Sequence, residues 1–187
     1  VPVPVSDLAP VGASLPADGV GRRATAAGAY GSTTLLVSDR ALDGKRGYWV
    51  LSPLDLGDGT VAPVMRGWVA DQVQPPVGSV AILGVLQPME DFYSGSTATG
   101  DVIASMTHDE LVAAWGPQVR SGLLFLTEQT PAMTGDPARV EPTVRTDVAY
   151  PLQNFFYALQ WCVFSGFVVF VWWRWLRIDA RRPEEAE

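Results

Sequence analysis

Residues 47–70 read GYWVLSPLDLGDGTVAPVMRGWVA. Two apolar runs, Gly47–Leu54 and Thr60–Ala70, flank Gly57-Asp58-Gly59. Asp-Gly between two such runs predicts a β-hairpin, because glycine accepts the positive φ that a tight turn demands. Toward the N-terminus, Arg22–Tyr30 and Thr33–Ser38 are short β-leaning runs around Gly31. Toward the C-terminus, Ser79–Leu86 (SVAILGVL) does not alternate, which predicts a strand buried on both faces, and Gly122–Thr127 (GLLFLT) predicts another. Thr107 and Glu110 have capping-box spacing and open a short amphipathic helix to Trp115, which Gly116-Pro117 ends. Glu90–Gly100 reads as a polar loop, and Thr130–Asp147, with Pro131, Pro137 and Pro142, as a Pro-rich connector. The fold class expected is α+β: an extended segment over 1–21, a strand-rich antiparallel domain with one short helix over 22–130, and a connector over 131–150.

Beyond the connector the chain changes character. From Val148 to Trp173 there is no Asp, Glu, Lys, Arg or His. A helix crosses a hydrocarbon core with roughly 20 apolar residues, so residues 151–173 are predicted to form a transmembrane helix and 174–187 a tail. Tyr150, Phe155, Phe156 and Tyr157 lie at one end and Trp172, Trp173 and Trp175 at the other, which suits rings seated at both headgroup levels. Arg174, Arg177, Arg181 and Arg182 follow the helix, against Arg139 and Arg145 before it. An arginine excess marks the cytoplasmic side, so the tail is expected there and the N-terminal domain outside. Asp179, Glu184, Glu185 and Glu187 cancel the tail's arginines, which assigns the whole net charge of −7 to residues 1–147. A domain placed outside must be exported, so a cleaved signal peptide or a first membrane helix is expected upstream of Val1.

The inventory of reactive groups is short. Lys45 is the sole lysine, and an acidic chain without clustered cations does not track nucleic-acid phosphates. One cysteine, Cys162, excludes an internal disulfide and any multi-thiolate metal site. Any hydrolase reading, with Ser52 or Ser94 as nucleophile, would rest on the single histidine, His108. His108 reads as a solvated residue of the first helical turn and Cys162 as a small packing residue. Met65, Met89, Met106 and Met133 lack the spacing of a copper site. Arg66 is expected to end its strand in a salt bridge, with Gly67-Trp68 giving close backbone packing under an indole. Neither an enzyme nor a resident metal is expected. In the apolar helix Ala158, Cys162 and Gly166 recur every four residues with Ser165 beside them, and Gln160 lies nearly opposite. Small side chains on one face and an amide in lipid both favour contact with another helix.

Three motifs carry a resemblance. Gly47-Tyr48 with Pro53-Leu54, then Arg66-Gly67-Trp68-Val69, and finally Tyr157 followed four residues later by Trp161 resemble the Surfeit locus protein 1 (Shy1-like) family, from about Arg22 to Arg174. The resemblance implies a two-span membrane protein that assists cytochrome c oxidase assembly, with oxidase subunits or a respiratory supercomplex and the lipid bilayer as partners. It places the chain in a bacterial plasma membrane or a mitochondrial inner membrane. Many members have Asn before Arg-Gly-Trp and Pro after the Val, where this chain has Met65 and Ala70. Some carry a histidine, proposed to ligate haem a, three residues before the Tyr; that position is Asn154 here, and an amide does not replace an imidazole as axial ligand. The cofactor implied is therefore at most haem a held transiently. The alternative reading is a permanent structural or accessory subunit of a respiratory oxidase or supercomplex. Gly166→Leu is expected to weaken helix association while leaving insertion intact; in-membrane crosslinking measures this, and an unaltered pattern would remove the case for the small-residue face.

Overall fold

A computed structural model of the chain describes residues 1–90, 100–142 and 152–179; the side chains of 152–155, 158, 178 and 179 lie outside the description. Two units are present, Val1–Arg145 and Thr146–Glu187. In chain order the first contains β1 (Val3–Pro4), α1 (Val5–Leu8), a 3-10 turn (Ala17–Gly19), β2 (Arg23–Tyr30), β3 (Leu35–Leu42), β4 (Lys45–Asp55), β5 (Val61–Val69), β6 (Ser79–Gln87), β7 (Val102–Ile103), α2 (His108–Trp115) and β8 (Leu123–Thr130). The second contains α3 (Leu152–Asp179).

The hairpin read from Gly57-Asp58-Gly59 joins β4 to β5, with φ of 78° at Gly57 and 82° at Gly59. Aspartates shape the turn: the Asp55 carboxylate accepts the Gly57 amide at 2.8 Å and that of Asp58 accepts the Thr60 amide at 2.9 Å. From this hairpin the sheet grows in the order β1-β2-β6-β8-β5-β4-β3-β7, and a further β2–β4 pairing closes β2, β6, β8, β5 and β4 into a ring. Four pairings of the ring are antiparallel, and β5–β8 is parallel. This corrects the all-antiparallel expectation for a geometric reason. Each antiparallel step reverses strand direction, and a closed circuit must contain an even number of reversals, so five strands require a parallel pair. The long excursion through β6 and α2 lets β8 enter beside β5 in that sense.

Strand alternation divides the apolar residues between two cores. Tyr30, Leu54, Val64, Val80, Ile82, Leu86, Leu124 and Leu126 point into the ring, together with Val5, Leu8 and Ala9 from the N-terminal segment. Leu35, Val37, Leu51, Met65, Leu123 and Phe125 face the other side, where Leu111 of α2 and Ile103 of β7 cover them. The strands buried on both faces are thus β4, β5 and β8. Ser79–Leu86 is not: Val80, Ile82 and Leu86 are buried whereas Ser79 and Ala81 are exposed, because no element among the described residues covers the outer side of β6 there. The helix is capped as its spacing predicts, with the Thr107 hydroxyl accepting the Glu110 amide at 3.4 Å, and it runs to Trp115.

Both flanking segments pack on the ring more closely than the domain limits 22–130 allow. Val5, Leu8 and Ala9 of segment 1–21 are buried core residues. In the connector, Ala138 and Trp68 exchange two backbone hydrogen bonds, of 2.7 and 2.9 Å. The rest of the connector from 143 to 150, the loop residues 91–99 with Ser94, and Arg181 and Arg182 lie outside the described residues. α3 continues past Trp173 to Asp179, and its candidate span is Leu159–Arg177. The predicted limit at 173 marked the end of the uncharged stretch, but backbone hydrogen bonding is indifferent to that border and Trp175, Leu176 and Arg177 sustain the helix.

Gly67 adopts φ of 151°, and a Cβ there would collide with the Ala138 carbonyl and lie 3.0 Å from Pro137 Cβ. Gly67→Ala is expected to cost about 2–4 kcal/mol in urea unfolding, combining backbone strain with overpacking. A cost below about 0.5 kcal/mol would show that the connector yields freely at this point.

Candidate functional site

The Arg66-Gly67-Trp68 motif stands at the end of β5, against the connector. Arg66 is fully buried. Its guanidinium donates to the Pro76 carbonyl at 2.7 Å and to Asp136 Oδ1 at 2.6 Å, and lies 4.1 Å over the Tyr30 ring. Asp136 Oδ2 accepts from Gln129 Nε2 at 2.9 Å and from the Met133 amide at 3.2 Å, and the Tyr30 hydroxyl donates to Gln129 Oε1 at 3.0 Å. Arg139 donates to the Arg66 carbonyl at 2.9 Å. A guanidinium out of water needs a carboxylate and further acceptors, and removing one partner of a buried pair typically costs about 3–5 kcal/mol. Arg66 Nε has no hydrogen-bond partner among the described residues. Burial pushes the Tyr30 phenol up to about 12, against the opposing pull of Arg66 and Arg139.

A second buried arginine serves the other end of the chain. Arg120 Nε donates to Thr60 Oγ1 at 2.9 Å, its NH2 group to Asp58 Oδ2 at 3.1 Å, and its NH1 group to the carbonyls of Ala9 at 2.9 Å and Ser6 at 3.3 Å. It thereby joins the hairpin turn to the N-terminal segment. The hydroxyl and amide of Thr60, with Arg120 adding to them, hold the Asp58 carboxyl below its usual range.

The residues singled out from sequence fall into three places. Leu54 is buried in the ring core, while Pro53 faces Pro63 across the hairpin and accepts the Gly31 amide at 2.9 Å. Tyr48 is half-exposed, its hydroxyl accepting from Gln72 at 3.2 Å. Arg66 makes the expected ion pair, but within its strand, which continues through Gly67 and Trp68 to Val69. The glycine beneath the Trp68 indole, however, is Gly47, where a Cβ would come within 2.6 Å of two ring atoms; Gly67 packs against the connector instead. Trp68 Nε1 donates to the Arg40 carbonyl at 3.2 Å. Met65 and Met106 are buried in the second core, Met89 packs against it, and Met133 packs on the first. Tyr157, Gln160, Trp161, Cys162, Ser165 and Gly166 are exposed along α3, whereas the side chains of Asn154 and Ala158 lie outside the described residues. A Cβ at Gly166 would meet nothing within 4 Å. Arg120, Asp136, Gln129 and Tyr30 escaped sequence reasoning. An arginine just before an apolar strand was the sole signal for Arg120, and Asp136 lay in a segment read as a spacer.

A model of the SURF1 family matches residues 1–166, which take in the whole ring, both arginine centres and α3 as far as Gly166. This chain belongs to the SURF1 family. A search among curated proteins finds no significant match. The SURF1 family is associated with cytochrome c oxidase assembly. Membership and the candidate span in α3 together point to a membrane protein. At the position where the resemblance implies a haem a ligand this chain has Asn154, whose amide is not an axial ligand; the single histidine, His108, is on α2, and the single thiol, Cys162, is on α3. Among the described residues no group of three or more His, Cys, Asp or Glu could hold a metal ion.

Tyr30 sets an alkaline limit. Its phenol ionises near 10.0 when unfolded and near 12 when folded, so the unfolded chain loses that proton first and stability falls as pH rises from 10.0 to 12. Tyr30→Phe is expected to flatten this part of the stability–pH curve, measured by denaturant midpoints; equal slopes for the two proteins would contradict the assignment.

Proposed function

We propose that this SURF1-family chain is a membrane-anchored, non-enzymatic assembly factor that supports cytochrome c oxidase biogenesis, by stabilising subunit I or by serving the machinery that inserts haem a. The single observation that carries the proposal is the family match over residues 1–166, continuous from the ring into the apolar helix. The ring domain stands outside the cytoplasm and the tail inside, a reading supported by the arginines at 174, 177, 181 and 182. The face carrying Ala158, Cys162, Ser165 and Gly166, with Gln160 across the helix, meets a helix of the oxidase or of its assembly machinery. The absence of a usable imidazole ligand favours assistance through protein contact over direct haem ligation by this chain.

A second reading is a permanent accessory subunit of an oxidase or supercomplex, docked through the small-residue face of α3 at Ala158, Cys162 and Gly166. Stoichiometry separates the two. Deleting the gene is expected to lower haem a content and oxidase activity together, and purified mature oxidase is expected to contain the chain at trace level. Unchanged haem a and activity would sink the assembly role; a fixed ratio in the mature enzyme would replace it with the structural one.

A further inference from the structure

The connector residues 131–140 lie on the ring as a strap, and the strap's attachment differs in kind from the ring's own cohesion. The ring closes without it, through the β2–β4 pairing. The strap buries little apolar surface: Pro137 is buried, and Met133 and Val140 are partly buried at the margins of the two cores. What holds it is polar and concentrated. The Asp136 carboxylate meets Arg66 at 2.6 Å, Ala138 exchanges two backbone hydrogen bonds with Trp68, and Arg139 donates to the Arg66 carbonyl at 2.9 Å. Gly67 admits the strap by having no side chain where the Ala138 carbonyl lies.

We propose that the Arg66–Asp136 pair is a latch, and that the strap can leave the end of β5 while the five-stranded ring stays folded. Regions with few buried apolar contacts and localised hydrogen bonds open below the free energy of global unfolding. Thr130 still pairs with Ala81 in the ladder, so the opening begins immediately after it. Once free, Arg66 keeps the Pro76 carbonyl and the Tyr30 ring as partners and gains access to water in place of the carboxylate. The consequence is a change of reach. The strap precedes α3 in the chain, and releasing its ten residues adds up to about 35 Å of extended chain between the ring and that helix. The Arg-Gly-Trp motif thus sets the length of the tether by holding or freeing the strap, a role independent of which partner the chain serves.

Amide hydrogen exchange on the full-length protein in detergent or nanodiscs tests this. In the unaltered chain the Ala138 and Trp68 amides are expected to exchange through an opening that leaves the β2 and β6 amides protected. Asp136→Asn, which keeps side-chain volume and removes the charge, is expected to speed Ala138 and Trp68 exchange roughly 10–100-fold while β2 and β6 change less than about threefold. Equal acceleration of strap and ring would make Asp136 an ordinary part of the global fold and overturn the latch. Unchanged strap exchange would overturn it too, by showing that the ion pair does not hold the strap. Should Asp136→Asn fail to accumulate, the unaltered chain decides alone: equal protection of Ala138 and the β2–β6 ladder would end the proposal.

Discussion

Arg66 carries a full charge at a position with no solvent exposure, and the end of the barrel is organised to make that tolerable. Its carboxylate partner comes from seventy residues downstream in the chain, its carbonyl partner from the β5–β6 connection, and its aromatic cover from β2. Gln129 at the end of β8 then joins Asp136 to Tyr30. Four separate stretches are thereby held by one guanidinium. Leaving such a group buried without its carboxylate typically costs about 3–5 kcal/mol, a large share of a net stability of about 5–15 kcal/mol, so the positions of the connector and of the β5 end are coupled.

Arg120 repeats the arrangement at the other end. It draws the N-terminal segment onto the hairpin turn through the carbonyls of Ser6 and Ala9, which places Val5, Leu8 and Ala9 in the ring core. A five-stranded ring encloses little volume, and the flanking segments supply part of what fills and covers it. The two attachments are unequal, however. The N-terminal segment contributes buried apolar side chains, whereas the C-terminal strap contributes chiefly charge and backbone bonds. The family's Arg-Gly-Trp motif serves the second attachment, with Gly67 yielding space to the strap and Gly47 yielding space to the Trp68 indole.

These assignments change how family membership bears on function. The matched region contains the Arg66-Gly67-Trp68 motif. In the folded chain Arg66 and Gly67 are committed to internal contacts and Trp68 to Gly47 and the Arg40 carbonyl. Among the described residues, exposed apolar side chains are concentrated on α3.

Much of this was legible without coordinates. The Gly57-Asp58-Gly59 hairpin, the Thr107 cap and the apolar C-terminal helix each follow from residues within one short window, where turn geometry, capping and length against a bilayer act locally. Ring closure, the parallel β5–β8 pair and the exposed outer side of β6 were not legible, because they depend on which strands meet after long excursions of the chain. Asp136 shows the limit best. In sequence it is an acid between prolines in a spacer; only the path that brings residue 136 back to residue 66 turns it into the counter-ion of a buried arginine. The sequence by itself determined the local elements and the family, and the tertiary structure decided which charges meet, since a buried charge is stable only where distant parts of the chain converge on it.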